Sequence, residues 1–178
     1  MAEFEGHTRL ICDALGIGWQ TAFNLTVEKS PIADSGQMTR TWNGGKINLA
    51  DPMFRLYEIR ISSGADDWRP PALLKMWPGT ELTIITPDED GVVIPVGGTT
   101  AVFERDIHEA RALTMRFDDV AHTVVGQTVV LDAPAAEPVR VFAMLRHDVM
   151  VTEPWRKTFR EADTSYSWQL ATEEVGGF

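Results

Sequence analysis

Phe54-Arg55-Leu56-Tyr57-Glu58-Ile59-Arg60-Ile61-Ser62 sets Tyr57, Ile59 and Ile61 on one side of an extended chain and Glu58 and Arg60 on the other. Apolar and charged residues alternating with a period of two describe a strand with one buried and one wet face, and the β-branched and aromatic content favours the same conformation. Upstream, Asn43-Gly44-Gly45 between Thr39 and Leu49 supplies residues that tolerate positive φ, which predicts a hairpin flanked by Trp42 and Ile47. Phe23, Leu25 and Val27 alternate with polar neighbours as a further strand, and Thr8 to Gly16 reads as a short helix closed by Gly16.

Downstream, two prolines in Asp66-Asp67-Trp68-Arg69-Pro70-Pro71 cannot donate to a ladder, and Trp77-Pro78-Gly79 is a turn, so residues 63–79 are expected to form a projecting loop. Thr80–Thr86 and Val92–Val96 read as a hairpin around the acidic turn Pro87-Asp88-Glu89-Asp90-Gly91. Ile107, Ala110, Leu113 and Phe117 recur at spacings of three and four, which predicts the main helix over Arg105–Phe117. Val124-Val125, Thr128–Leu131, Val139–Leu145 and Ser165–Thr172 carry further strand signals, and Asp132–Pro138 is a connector between two of them. Roughly eight strands against one or two helices predict a mainly β fold, a sandwich or barrel with one flanking α-helix. At 178 residues the expectation is a single domain over 1–178, because single cores stop growing only near about 250 residues.

Charge narrows the function classes. With 26 acidic and 16 basic residues the net charge is -10, a sign that repels phosphate backbones, so specific gripping of nucleic acid is not expected. No segment has the apolar length of a membrane span, and the single Cys12 excludes an internal disulfide, which predicts folding in a reducing cytoplasm without membrane insertion. Cys12 lies among Leu10, Ile11, Ala14 and Leu15, the setting of a small buried hydrophobe and not of an activated thiolate.

No catalytic or cofactor motif is present. His108-Glu109 opens like a zinc-protease helix, yet Ala112 stands where the second histidine belongs. Asp88-Glu89-Asp90-Gly91 lacks the spacing of a calcium loop, and Gly16-Ile17-Gly18 lacks the third glycine of a dinucleotide fingerprint. Glu153 with Glu161, and Asp118 with Asp119, are the pairs that chance provides in any acidic chain. The reading is therefore a protein that is not an enzyme, with no cofactor and no metal.

Six tryptophans are unusual, and Trp42, Trp68 and Trp77 all sit beside turn signals, where large amphipathic rings serve either as contact anchors or as plugs folded back over their own core. The candidate interface is Trp42, Trp68, Arg69, Pro70, Pro71, Trp77 and Pro78, the prolines stiffening the arm and lowering its ordering cost.

The order of Arg40-Thr41-Trp42-Asn43-Gly44, Arg55-Leu56-Tyr57 through Ser63-Gly64, Pro70-Pro71-Ala72-Leu73 and Trp77-Pro78-Gly79 resembles a family of small virion structural proteins of long-tailed, siphovirus-type bacteriophages. Val139–Leu145 and Ser165–Val175 resemble that family's closing strands, with Trp168, Leu170, Glu173 and Glu174 in its Trp-x-Leu-x-x-Glu-Glu pattern. Residues 101–133 depart from it and look like an enlargement. The resemblance implies a tail component, at the tube, terminator, distal tail or baseplate, that assembles as a ring-like homo-oligomer with other virion tail proteins. It also implies a place in the virion after folding in the host cytoplasm, with DNA passing an acidic wall without specific binding. The alternative from another class is a monomeric β-barrel or sandwich module that binds a small molecule or glycan on exposed tryptophans.

Overall fold

The computed structural model describes residues 9–17, 25–32, 38–48, 55–64 and 70–176. The fold is mainly β, as expected for the sandwich or barrel class: 55% of the described residues are strand and 4% are helical, the latter in two 3-10 turns at Asp13–Leu15 and Leu73–Lys75. The strands are β1 (Leu25–Pro31), β2 (Met38–Arg40), β3 (Lys46–Asn48), β4 (Tyr57–Ser63), β5 (Glu81–Ile94), β6 (Thr100–Val102), β7 (Ile107–Leu113), β8 (His122–Val125), β9 (Thr128–Leu131), β10 (Val139–Val151), β11 (Arg156–Arg160) and β12 (Ser165–Glu174). Two compact units are distinguished within the chain and are described in turn.

The first unit holds the described parts of residues 12–82 and 148–178. Antiparallel ladders run β1 to β4, β4 to β12, and β12 to both β11 and the end of β10. The alternation read in the opening stretch is realised in β4: Ile59 and Ile61 are fully buried, opposite Thr172 and Leu170, while Glu58 and Arg60 face outward. Each such isoleucine contributes about 1.5–3 kcal/mol by leaving water. The polar members of the inner face are bonded, Thr172 donating its hydroxyl to the Ile59 carbonyl at 2.8 Å and the buried Glu174 carboxylate accepting the Tyr57 N–H at 3.0 Å. Glu174 of the Glu-Glu pair is thus a structural fastener between the start of β4 and the end of β12.

The second unit holds residues 9–11 and 83–147. Its three-stranded sheet has the order β6-β9-β8, and β10 pairs with β7. Ile94, Ala101, Phe103, Val129, Leu131, Val139, Val141 and Leu145 are among the residues of its core. Residues 100–131 supply β6 to β9.

Three expectations change. The helix over Arg105–Phe117 is instead β7, and a β-bulge explains its spacing. Met144 opposes Glu109 while Leu145 opposes Ile107, so His108 is an extra residue without a partner position. In a regular strand Ile107 and Ala110 would face opposite sides; the extra residue puts both against the core with Ala112. A helical interval of three is thereby produced by an irregular strand. The hairpin expected around Pro87–Gly91 is one continuous strand, β5, which stands last in its sheet order, where a proline's missing donor is tolerated. The N-terminal helix shrinks to a 3-10 turn, ended by Gly16 in the left-handed region at φ 58°.

Candidate functional site

The sequence-derived interface residues divide into three groups. Trp42 occupies the tip of the β2–β3 hairpin and is 100% exposed. Its turn is fixed by many bonds for its size. The Thr41 N–H donates to the Gly45 carbonyl and the Gly44 N–H to the Thr41 carbonyl, both at 2.9 Å. The Thr41 hydroxyl also bonds Asn43 and the Gly45 carbonyl, and the Arg40 guanidinium donates to the Gly44 carbonyl at 3.1 Å. Gly44 takes φ 83°, the conformation the Asn-Gly-Gly signal called for. A large ring is therefore held out in water by a turn whose shape is already set.

Trp77 and Pro78 are exposed on a turn of different construction, Trp77 at 65%. Leu73 and Met76, from the adjoining 3-10 turn, are buried, and Leu74 between them is 78% exposed. The backbone is tied down at both ends, Ala72 N–H to the Leu15 carbonyl at 3.0 Å and Gly79 N–H to the Val151 carbonyl at 2.8 Å. Pro71 is buried and Pro70 half-buried, so these two prolines are seating residues and not exposed contact surface. The described part of the 63–79 segment is thus stitched to its unit beyond Pro70, leaving Leu74, Trp77 and Pro78 outward. Trp68 and Arg69 lie outside the described residues. Leu74 was not read from sequence, because its exposure follows from the 3-10 turn that buries its neighbours.

The remaining candidates for chemistry have structural settings. Cys12 is buried, and burial pushes its thiol pKa up, which keeps it protonated. His122 lies with one ring nitrogen 2.9 Å from the Val120 carbonyl and the other 3.1 Å from the Ala110 carbonyl, a tie between the segment before β8 and β7. His147 is fully buried in β10, and His108 projects from the bulge into solvent. His7 lies outside the described residues. Among the described residues no three His, Cys, Asp or Glu side chains gather as metal ligands.

One polar depression of about 110 Å³ lies in the first unit, lined by Arg60, Glu153, Pro154, Arg156, Gln169 and Ala171. Arg60 is engaged within it: its Nε lies 2.5 Å from Glu58 and its Nη2 3.7 Å from Glu153. The hydrogen bond to Glu58 is the main reason its pKa is held above the ordinary guanidinium value. A guanidinium already facing two carboxylates has little charge left for a ligand, and the depression stands apart from Trp42 and Trp77 in its lining. No family model, curated protein or solved structure matches the chain.

No helix among the described residues is long and apolar enough to cross a membrane. Among the described residues the geometry offers two turns with an exposed tryptophan, one at Trp42 and one at Trp77.

Proposed function

We propose that this chain is a structural component of a tailed-phage virion, a tail protein that works by packing against copies of itself and against other tail proteins. The observation that carries the reading is Trp42, a wholly exposed indole on a hairpin turn closed by its own hydrogen bonds. An exposed indole contributes nothing to the free subunit that a smaller residue would not. Presented on a turn that needs no further ordering, it is suited to bury its area in a partner at low entropic cost. Trp77 with Leu74 adds a second apolar contact of the same kind.

The family resemblance supplies the biological setting: a ring-forming subunit of the tube, terminator, distal tail or baseplate, whose acidic surface lets DNA pass without holding it. Sedimentation velocity over a concentration series tests the reading with the wild type and the Trp42→Ala/Trp77→Ala variant. The wild type is expected to form a discrete larger species, and the variant to stay folded and small. A wild type that remains monomeric throughout, and whose melting temperature rises with a glycan or small molecule, would replace this reading with that of a binding module.

A further inference from the structure

We propose that β11 of one subunit receives the Met115–Asp119 turn of a second copy, a head-to-tail contact that rests on the assembly reading above and names where two subunits meet. All five residues of β11 are exposed, on a strand that pairs with β12 on one side and has no strand on its other side among the described residues. The strand concentrates Arg156, Lys157 and Arg160 in five positions of a chain whose net charge is -10. Arg160 is engaged with Asp163 at 3.5 Å, whereas Arg156 and Lys157 make no ion pair among the described residues. Between them and Arg160, Phe159 lies half exposed against Tyr166, ring centroids 4.8 Å apart.

The Met115–Asp119 turn has the complementary character. Phe117 is 70% exposed and sits at φ 67°, a left-handed conformation that costs a non-glycine residue on the order of 1 kcal/mol. Thr114 braces the turn, its hydroxyl accepting the N–H groups of Arg116 at 3.1 Å and Asp118 at 3.2 Å and its carbonyl accepting the Phe117 N–H at 3.0 Å. The turn therefore holds an aromatic ring outward beside exposed Met115, Asp118 and Asp119, with Arg116 its only cation. Lys157 and Phe159 share a face of β11, opposite Trp168 and Tyr166 of β12, so a ring and two carboxylates meet a ring and a cation.

Basic side chains on an edge also guard against strand-to-strand aggregation. The charges separate the two roles. Two copies of β11 repel each other, which excludes a two-fold contact through this strand, but the same charges attract the acidic remainder of another copy. A guard predicts that removing the charge increases association; a docking strand predicts the reverse.

The experiment compares the masses of wild type, R156E/K157E, D118K/D119K, their equimolar mixture, and R156Q/K157Q by sedimentation velocity at low and high salt. All substitutions lie at exposed positions, and circular dichroism checks that each variant is folded. Each reversal is expected to weaken wild-type assembly on the order of tenfold or more, as is high salt. Mixing the two reversed chains is expected to restore assembly, because every acidic edge then faces a basic turn. Unchanged assembly in either reversed variant, a mixture as dissociated as its components, or stronger association of R156Q/K157Q overturns the contact and leaves the assembly reading standing. A wild type that is monomeric at every concentration removes both. Binding of that monomer, but not of R156E/K157E, to a DNA duplex would assign the strand to nucleic acid instead.

Discussion

The Trp42 turn and the Trp77 turn both hold an indole in water, but they are built in opposite ways. The first is closed by bonds among Arg40, Thr41, Asn43, Gly44 and Gly45, all within one hairpin. The second is a by-product of burial: Leu73 and Met76 turn inward, the backbone bonds Leu15 and Val151, and Leu74 and Trp77 are left outside. Exposure of an aromatic ring is therefore separable from stability at Trp42, whereas the segment carrying Trp77 is coupled to it.

The largest effect that sharpens this contrast is expected for Leu73→Ala, which empties a buried site and should lower unfolding free energy by about 2–5 kcal/mol in urea titration. A value below about 0.5 kcal/mol would mean that the second turn is as self-contained as the first. Gly79→Ala comes next: Gly79 sits at φ 90° with open space around it, so the penalty is that of the backbone alone, about 1–2 kcal/mol by thermal melting. Thr41→Val removes local bonds of an exposed turn and should cost about 0.5–1 kcal/mol, with no effect on segments outside the hairpin in hydrogen exchange. Trp42→Ala is expected to change stability by less than about 0.5 kcal/mol while it weakens assembly. Cys12 reports on the same division, since its buried, protonated thiol reacts with a maleimide only when its surroundings open. Labelling should quicken in Leu73→Ala and stay at the wild-type rate in Trp42→Ala.

Much of the fold was legible because local rules and tertiary context agreed. β4 alternates in sequence and in burial, the Asn43-Gly44-Gly45 signal is a hairpin turn, and Val139 and Ser165 open long strands close to where the pattern began. The failures have specific causes. β11 has one apolar side chain in five and no buried residue, so no hydrophobic period marks it, and only its ladder with β12 makes it a strand. Pro87 and the three acidic residues after it describe a turn by composition, yet an edge position lets the chain run straight through them.

By itself the sequence determined the mainly β character, the acidic surface and the placing of tryptophans at turns, because composition, charge and a period of two act through neighbours in the chain. Tertiary structure alone decided that Ile107–Leu113 is a strand, that Pro71 is buried while Leu74 is exposed, and that Glu174 fastens β4 to β12. Each of those outcomes depends on a partner distant in the chain: the bulged register with β10 in the first case, the seating of Leu73 and Met76 in the second, and the Tyr57 N–H in the third. A local pattern carries no record of which distant group will stand opposite it, so these outcomes are set by the tertiary fold and not by neighbours in the chain.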